Sequence, residues 1–244
     1  MSTTNTGNRT QSIMAVKIER ANLDDLPALA EINRLSYMGE TISMFAFKDW
    51  PDEKNMREFF MARLRIRFDT TGTQVFKATD ARTSKIVGFV CWTLEQGETA
   101  DAKLDKPLAA SKTPTASLVQ VEQMPPFLHR DFVIKTGAEV EELREFMKGE
   151  KHYCKFSSCC SHMHPLATTQ LERCSRTITL DISAFAVEPG FQGQGIGSEL
   201  LKYCFQMSDQ EGLRTWLISF PGFHSLYLRF SFTDLDYGDI DLNE

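Results

Sequence analysis

The sequence predicts an α/β (α+β) protein in which strands and helices share one core. Three observations point there. Residues 73–94 carry a hairpin signal, two strand-like runs around a polar turn. Residues 177–207 run from a strong strand through a glycine-rich turn into a helix. Ahead of both, residues 22–68 hold apolar residues at helical spacing.

Taken in order, residues 1–14 are rich in Thr, Asn, Ser and Gly and read as a disordered lead-in. Val16–Arg20 alternates apolar and polar, as a half-buried strand does. Asn22 or Asp24 caps the helix that follows, whose face is Leu26, Leu29, Ala30, Ile32 and Leu35. A second helix spans 53–68, with Met56, Phe59, Phe60, Leu64 and Phe68. The hairpin comes next, Thr73–Thr79 and Lys85–Leu94 around the turn Asp80–Ser84. Residues 96–130 contain Pro107, Pro114, Pro125 and Pro126 and read as a loop or insertion. Glu139–Lys148 reads as a short amphipathic helix. Thr177–Val187 is a strand, Gly195–Met207 a helix, Leu213–Phe220 a strand and Phe223–Phe230 a helix. Phe232–Leu235 reads as the start of a last strand.

A chain of 244 residues, 42% of them hydrophobic, can build one sizeable core. The reading is one domain over 15–244 with a long insertion at about 96–176. With 27 basic and 33 acidic residues the net charge is −6, which gives no long-range attraction to phosphate backbones. Nucleic acid is therefore not an expected partner. The polar start has no apolar signal region, and no apolar run approaches the ~20 residues a membrane span needs. Six cysteines with no secretory signal fit free thiols in a reducing, cytoplasmic setting, without a membrane partner.

The glycine turn carries the most chemistry. In Gln192-Gly193-Gln194-Gly195-Ile196-Gly197 three glycines at alternate positions let the backbone approach an anion closely. The next helix points its free N–H groups and positive dipole end into that turn. Pyrophosphate binding suits such a site; a tight turn with no ligand is the other reading of the glycines alone. No Lys-Ser/Thr follows at P-loop spacing, and Gly193-x-Gly195-x-Gly197 is not the Gly-x-Gly-x-x-Gly of a dinucleotide fold.

These residues carry a resemblance. Gln192 to Gly197 resembles the Gln/Arg-x-x-Gly-x-Gly/Ala motif of GNAT acetyltransferases. Ala186-Val187-Glu188-Pro189-Gly190-Phe191 looks like that family's strand end, and Ser225-Leu226-Tyr227-Leu228-Arg229-Phe230-Ser231-Phe232 is similar to its late LYxxFGF. The likeness, to fungal-type GNAT-domain proteins, covers roughly 15–95 and 177–235. It implies the GNAT fold: a central mixed, mostly antiparallel twisted sheet flanked by helices and splayed at the acyl-CoA site. It also implies acetyl-CoA as cosubstrate. Backbone groups of Ala186 and Val187 would pair with the pantetheine arm. The turn Gln192, Gly193, Gln194, Gly195, Ile196 and Gly197 would hold the pyrophosphate, with Ser198 adding a hydroxyl.

Aminolysis of a thioester needs a neutral amine and a proton for the leaving thiolate. Asp181, eleven residues before Gln192, stands where several relatives carry a base; strand alternation places Ser183 and Phe185 on its face. Glu188 is the alternate base. Tyr227 matches the tyrosine that protonates the thiolate in many relatives, and a hydroxyl of pKa about 10 suits that role. The serine at 231, in place of the family's glycine, implies a turn that does not need positive φ.

Residues 154–176 hold four cysteines with His162 and His164. There is no Cys-x2-Cys or His-x3-His spacing, so no metal is expected. The abrupt change of composition at both edges is what translation through a retained short intron would give. The late strand after Phe232 is expected to be missing or short, which would cost the family's sheet an edge pair. The expected function is transfer of an acetyl group from acetyl-CoA to a small-molecule or peptide amine, by direct attack in a ternary complex. The alternative is a module that binds acyl-CoA with little or no turnover. The sequence does not determine the oligomeric state.

Overall fold

A computed structural model describes residues 15–96, 124–149, 178–210, 214–219 and 221–234. The lead-in 1–14, most of the 96–130 stretch, the Cys/His-rich stretch and residues 235–244 lie outside the described residues. β1 (Val16–Arg20) leads to a short 3-10 turn, Leu23–Asp25, and then to α1 (Leu26–Tyr37). Asn22 and Asp25 close this entry with a reciprocal capping box: the Asn22 side chain accepts from the Asp24 amide, and Asp25 accepts from the Asn22 amide at 2.9 Å. α2 (Thr41–Ala46) and α3 (Glu53–Asp69) follow, and Asp52 caps α3 by accepting from the Asn55 amide. The hairpin is β2 (Thr73–Asp80) and β3 (Ile86–Gln96), joined by a turn in which buried Asp80 accepts from the Arg82 amide and the Thr83 hydroxyl. α4 (Arg130–Gly149), β4 (Ile178–Val187), α5 (Ile196–Gln210), β5 (Arg214–Trp216) and α6 (His224–Leu228) complete the order.

The five strands form one sheet in the order β1-β2-β3-β4-β5. The first three pairings are antiparallel and β4–β5 is parallel, so the sheet is mixed and mostly antiparallel. Alternation along the strands makes two cores. α1 and α3 cover one face, where Leu29, Ile32, Met56, Phe60 and Leu64 pack on Val75, Phe89, Cys91 and Ala186. α5 covers the other, where Ile196, Leu200, Leu201 and Cys204 pack on Phe76, Val90, Trp92, Ile182 and Val187. Burial of this kind contributes about 25 cal/mol for each Å² of apolar surface removed from water.

Three elements differ from the sequence reading. The helix expected at 139–148 is the second half of the 20-residue α4; Gly137 and the β-branched Val133 and Ile134 hide its start. Among the described residues β5 covers Arg214–Trp216, and Leu217–Ser219 of the expected strand have no strand structure. The expected last strand does not begin at 232, since Phe232–Asp234 follow the end of α6 without strand structure.

Candidate functional site

The site begins at a break in the sheet. β4 pairs with β5 for three residues only, and the last pair is Asp181 with Trp216. Immediately beyond it β4 bulges. Cys91 of β3 opposes Ala184, but its neighbour Trp92 opposes Ile182, so Ser183 is the extra residue. A bulge bends its strand and leaves one backbone group without a ladder partner. Here Arg67 of α3 supplies that partner, donating from Nη2 to the Ser183 carbonyl at 2.8 Å. Among the described residues no strand pairs with β4 on that side from Ile182 to Val187, so the edge is open there.

The ladder decides which backbone groups face the opening. The Glu188 amide donates to the Val87 carbonyl, so Glu188 and Val87 form a hydrogen-bonded pair. Antiparallel pairs alternate in this respect. Ala186 opposite Phe89 therefore turns its N–H and C=O toward β3, whereas Phe185 and Val187 turn theirs outward. Ala186, read with Val187 as a partner for the pantetheine arm, thus faces β3 with its peptide groups, and Phe185 stands beside Val187 on the open edge. The outward carbonyl of Val187 already accepts from Ser36 Oγ at 3.1 Å and from Gln192 Nε2 at 3.0 Å. Its amide and the Phe185 peptide groups are the parts that an added strand would meet.

Gln192 thereby ties the turn to the strand end. Gly193 and Gly195 take φ of 74° and 87°, a region open chiefly to glycine. Gly197 serves a different purpose, because a β-carbon there would lie 3.0 Å from Cζ of Phe185. Ile196 anchors the first turn of α5 in the core, and Ser198 is half-buried in the same turn. Gln194 donates to the Gly190 carbonyl at 3.3 Å. The turn thus presents the N-terminal end of a 15-residue helix beside the open strand edge.

The two residues read as base and acid lie on different faces. Asp181 is 3% exposed and stands opposite Thr93, whose hydroxyl lies 2.8 Å from that of Thr73 on the α1/α3 face. The bulge at Ser183 shifts the alternation, so Ile182 and Phe185 pack toward α5. Asp181 and Phe185 do not share a face, contrary to the simple alternation of the sequence. Tyr227 is buried in the α5-side core, with its ring 5.9 Å from that of Phe232. Burial, with a smaller effect of Tyr37, pushes its hydroxyl up to about 12. It therefore stays protonated at neutral pH but is a weaker acid than a free tyrosine. Glu188 pairs with Lys85 at 2.7 Å, and that ammonium also lies over the Phe191 ring. Ser231 has φ of 62°, so the turn after α6 does take the left-handed conformation that its serine had argued against.

A pocket beside the bulge lies outside the sequence reading. Asn33 and Tyr37 of α1, Arg63 and Arg67 of α3, and Ser183 and Ala184 of β4 are among its walls. The i,i+4 spacing of Arg63 and Arg67 was the available signal. Among the described residues no group of three or more His, Cys, Asp or Glu is placed to hold a metal, and no helix is long and apolar enough to cross a membrane.

A family model described as an acetyltransferase (GNAT) domain matches residues 160–234. No curated protein sequence matches the chain. Among solved structures, one of a histone acetyltransferase HPA2 and related acetyltransferase from Corynebacterium glutamicum is 15% identical over 94% of this chain and 91% of its own, with a TM-score of 0.53. A GCN5-related N-acetyltransferase from Ralstonia eutropha is 10% identical over 94% of this chain and 100% of its own, with a TM-score of 0.48. The first of these likenesses is one of fold. The matched domain spans the open strand edge, the glycine turn and the late tyrosine, so this part of the chain is similar to a GNAT acetyltransferase domain.

Proposed function

We propose that this chain moves an acetyl group from acetyl-CoA to a small-molecule or peptide amine by direct attack in a ternary complex. The observation that supports this most is the β4 edge, opened beyond Asp181 and leading into a positive-φ glycine turn at the start of α5. Acetyl-CoA, when bound, supplies the thioester carbonyl that the amine attacks. The outward peptide groups of Phe185 and Val187 hold and align the pantetheine arm as an added strand. Backbone N–H groups of Gly193 to Gly197, with the Ser198 hydroxyl, hold the pyrophosphate at the helix end. The residues present fit the group: glycines line its approach, and Gln192 fixes the turn to the strand. Asp181 accepts the ammonium proton through water, and Tyr227 donates toward the departing sulfur.

The high pKa of Tyr227 gives the second reading, a module that binds acyl-CoA without turnover, a specific basis. A proton would pass from a hydroxyl near 12 to a more acidic thiol, against the gradient. Donation of a hydrogen bond, without full transfer, meets that objection. Calorimetry with coenzyme A on wild type and Gly195→Asp tests the binding site, and thiol release with an amine panel tests turnover. Unchanged affinity in Gly195→Asp overturns the placement of the pyrophosphate. Tight binding with no thiol release for any amine establishes the second reading.

A further inference from the structure

Arg63 and Arg67 stand one turn apart on α3 and line the same pocket. Like charges at this spacing repel, and the chain as a whole is acidic. The other arginines of these helices are neutralised: Arg34 and Arg57 pair with Glu31, and Arg65 with Asp69. Among the described residues neither Arg63 nor Arg67 has a carboxylate partner. Arg67 is oriented by its bonds to the Ser183 carbonyl and hydroxyl. Arg63 is half-buried, with its guanidinium 5.3 Å from the Phe59 ring centroid. Burial first, and Arg67 second, lower its pKa to about 10, so it stays cationic near neutrality.

The pocket also lies at the right place. Its floor includes Ser183, Ala184 and Phe185, the segment of β4 where the edge opens. A molecule held here has its far end near the open edge.

We infer that this pocket selects the acceptor: the amine substrate carries an anionic group, carboxylate or phosphate, that Arg63 binds beside Arg67 while the amine faces the β4 edge. Guanidinium forks match both kinds of oxygen pair. Asn33 and the Tyr37 ring shape the rest of the wall. This rests on the acetyl-transfer reading, but its binding test does not need turnover.

The test uses the full chain and two matched pairs, O-phosphoethanolamine with ethanolamine and β-alanine with β-alaninamide. Affinity is measured by calorimetry, with and without coenzyme A, for wild type, Arg63→Gln and Arg63→Lys. At least one anionic member should bind tenfold or more tighter than its neutral partner. Arg63→Gln should weaken that member at least tenfold and the neutral one less than twofold, and Arg63→Lys should retain part of the preference. Coenzyme A affinity should not change in either variant. A preference for the phosphate pair or for the carboxylate pair identifies the source of the anion. Equal affinity within both pairs, or a preference untouched by Arg63→Gln, overturns the inference. Failure of coenzyme A to bind at all counts instead against the acetyl-transfer reading, since the anion preference is read separately.

Discussion

Arg67 donates from Nη2 to the Ser183 carbonyl at 2.8 Å, and with a longer bond from Nε to the Ser183 hydroxyl it joins α3 to the bulge where the sheet divides. The bond satisfies a backbone carbonyl that β3 does not reach. Removing the guanidinium leaves a part-buried acceptor without its donor, which costs about 1–3 kcal/mol. Arg67→Ala should therefore melt several degrees lower than wild type, at about 2–4 °C per kcal/mol for a protein of this size. Arg63→Ala, which breaks no such backbone bond, should melt close to wild type. Equal melting of Arg67→Ala and wild type would show that the bulge does not depend on the arginine.

Gly197 faces a different demand from Gly193 and Gly195. Its alanine variant would force a methyl group to 3.0 Å from Cζ of Phe185. The Phe185 ring or α5 would have to give way by a few tenths of an ångström, and overpacking of this kind costs about 1–3 kcal/mol. Gly197→Ala should lower both the denaturation midpoint and coenzyme A affinity, because the turn moves with the helix. Gly197→Ala combined with Phe185→Leu should recover stability. If the single variant is as stable as wild type, the packing argument fails.

Much of the scaffold was legible in the sequence because its signals are local. The hairpin around Asp80, the α1 and α3 faces and the strand–glycine–helix unit each rest on a period or a turn residue close by. What escaped depends on partners far along the chain. The Ser183 bulge comes from the register between β3 and β4, and beyond it Phe185 no longer shares a face with Asp181. The same register turns Ala186 inward and Phe185 outward. Arg63 and Arg67 look like a solvated helical face until α1 and β4 close around them. Ser231 misled for another reason: a serine can be held at positive φ when the surrounding bonds require it.

Tyr227 is pushed up to about 12, as are the thiols of Cys91 and Cys204, in each case chiefly by burial. In the unfolded chain these groups titrate near 10 and 8.5. Between those values and about 12 the unfolded state has lost protons that the folded state keeps, so stability falls as pH rises. It is fully present below about pH 8. The urea midpoint should be level from pH 7 to 8 and decline steadily above 9. Tyr227→Phe, with no proton to lose, should reduce the decline above pH 10. In the same variant kcat should drop by ~10²-fold with little change in coenzyme A affinity. A rate equal to wild type would leave Tyr227 a packing role alone.

Asp181→Asn addresses the base. The carboxylate is 3% exposed within the sheet, so it must act through water rather than by direct contact with a bulky acceptor. If it takes the ammonium proton, the amide variant should lose rate most at low pH, where the amine is charged. The acid limb of kcat/KM should then move to higher pH. A profile that superimposes on wild type removes Asp181 from the chemistry. Loss of the cooperative melting transition instead assigns it to the strand junction with Trp216.

The end of α6 offers the simplest stabilising change. The Phe232 amide donates to the Tyr227 carbonyl at 3.3 Å and the Ser231 amide to the Leu228 carbonyl at 3.0 Å. These are the two bonds of a Schellman motif, with Ser231 at the left-handed position that glycine usually fills. Its φ of 62° is the cost, and the 5.9 Å contact of the Phe232 and Tyr227 rings is the apolar clasp that goes with the motif. A left-handed non-glycine residue is about 1–2 kcal/mol unfavourable. Glycine removes that strain and gives back part of it as unfolded-state entropy, about 0.4–1 kcal/mol. Ser231→Gly should therefore raise stability by up to about 1 kcal/mol, read as a rise of about 2–4 °C in Tm. The motif holds the Tyr227 ring in both variants, so kcat should stay within twofold of wild type. Ser231→Val, whose branched side chain tolerates positive φ poorly, should move Tm the other way and lower kcat with it. If Ser231→Gly and Ser231→Val melt at the same temperature, the residue is not held in the left-handed region and the motif does not position Tyr227.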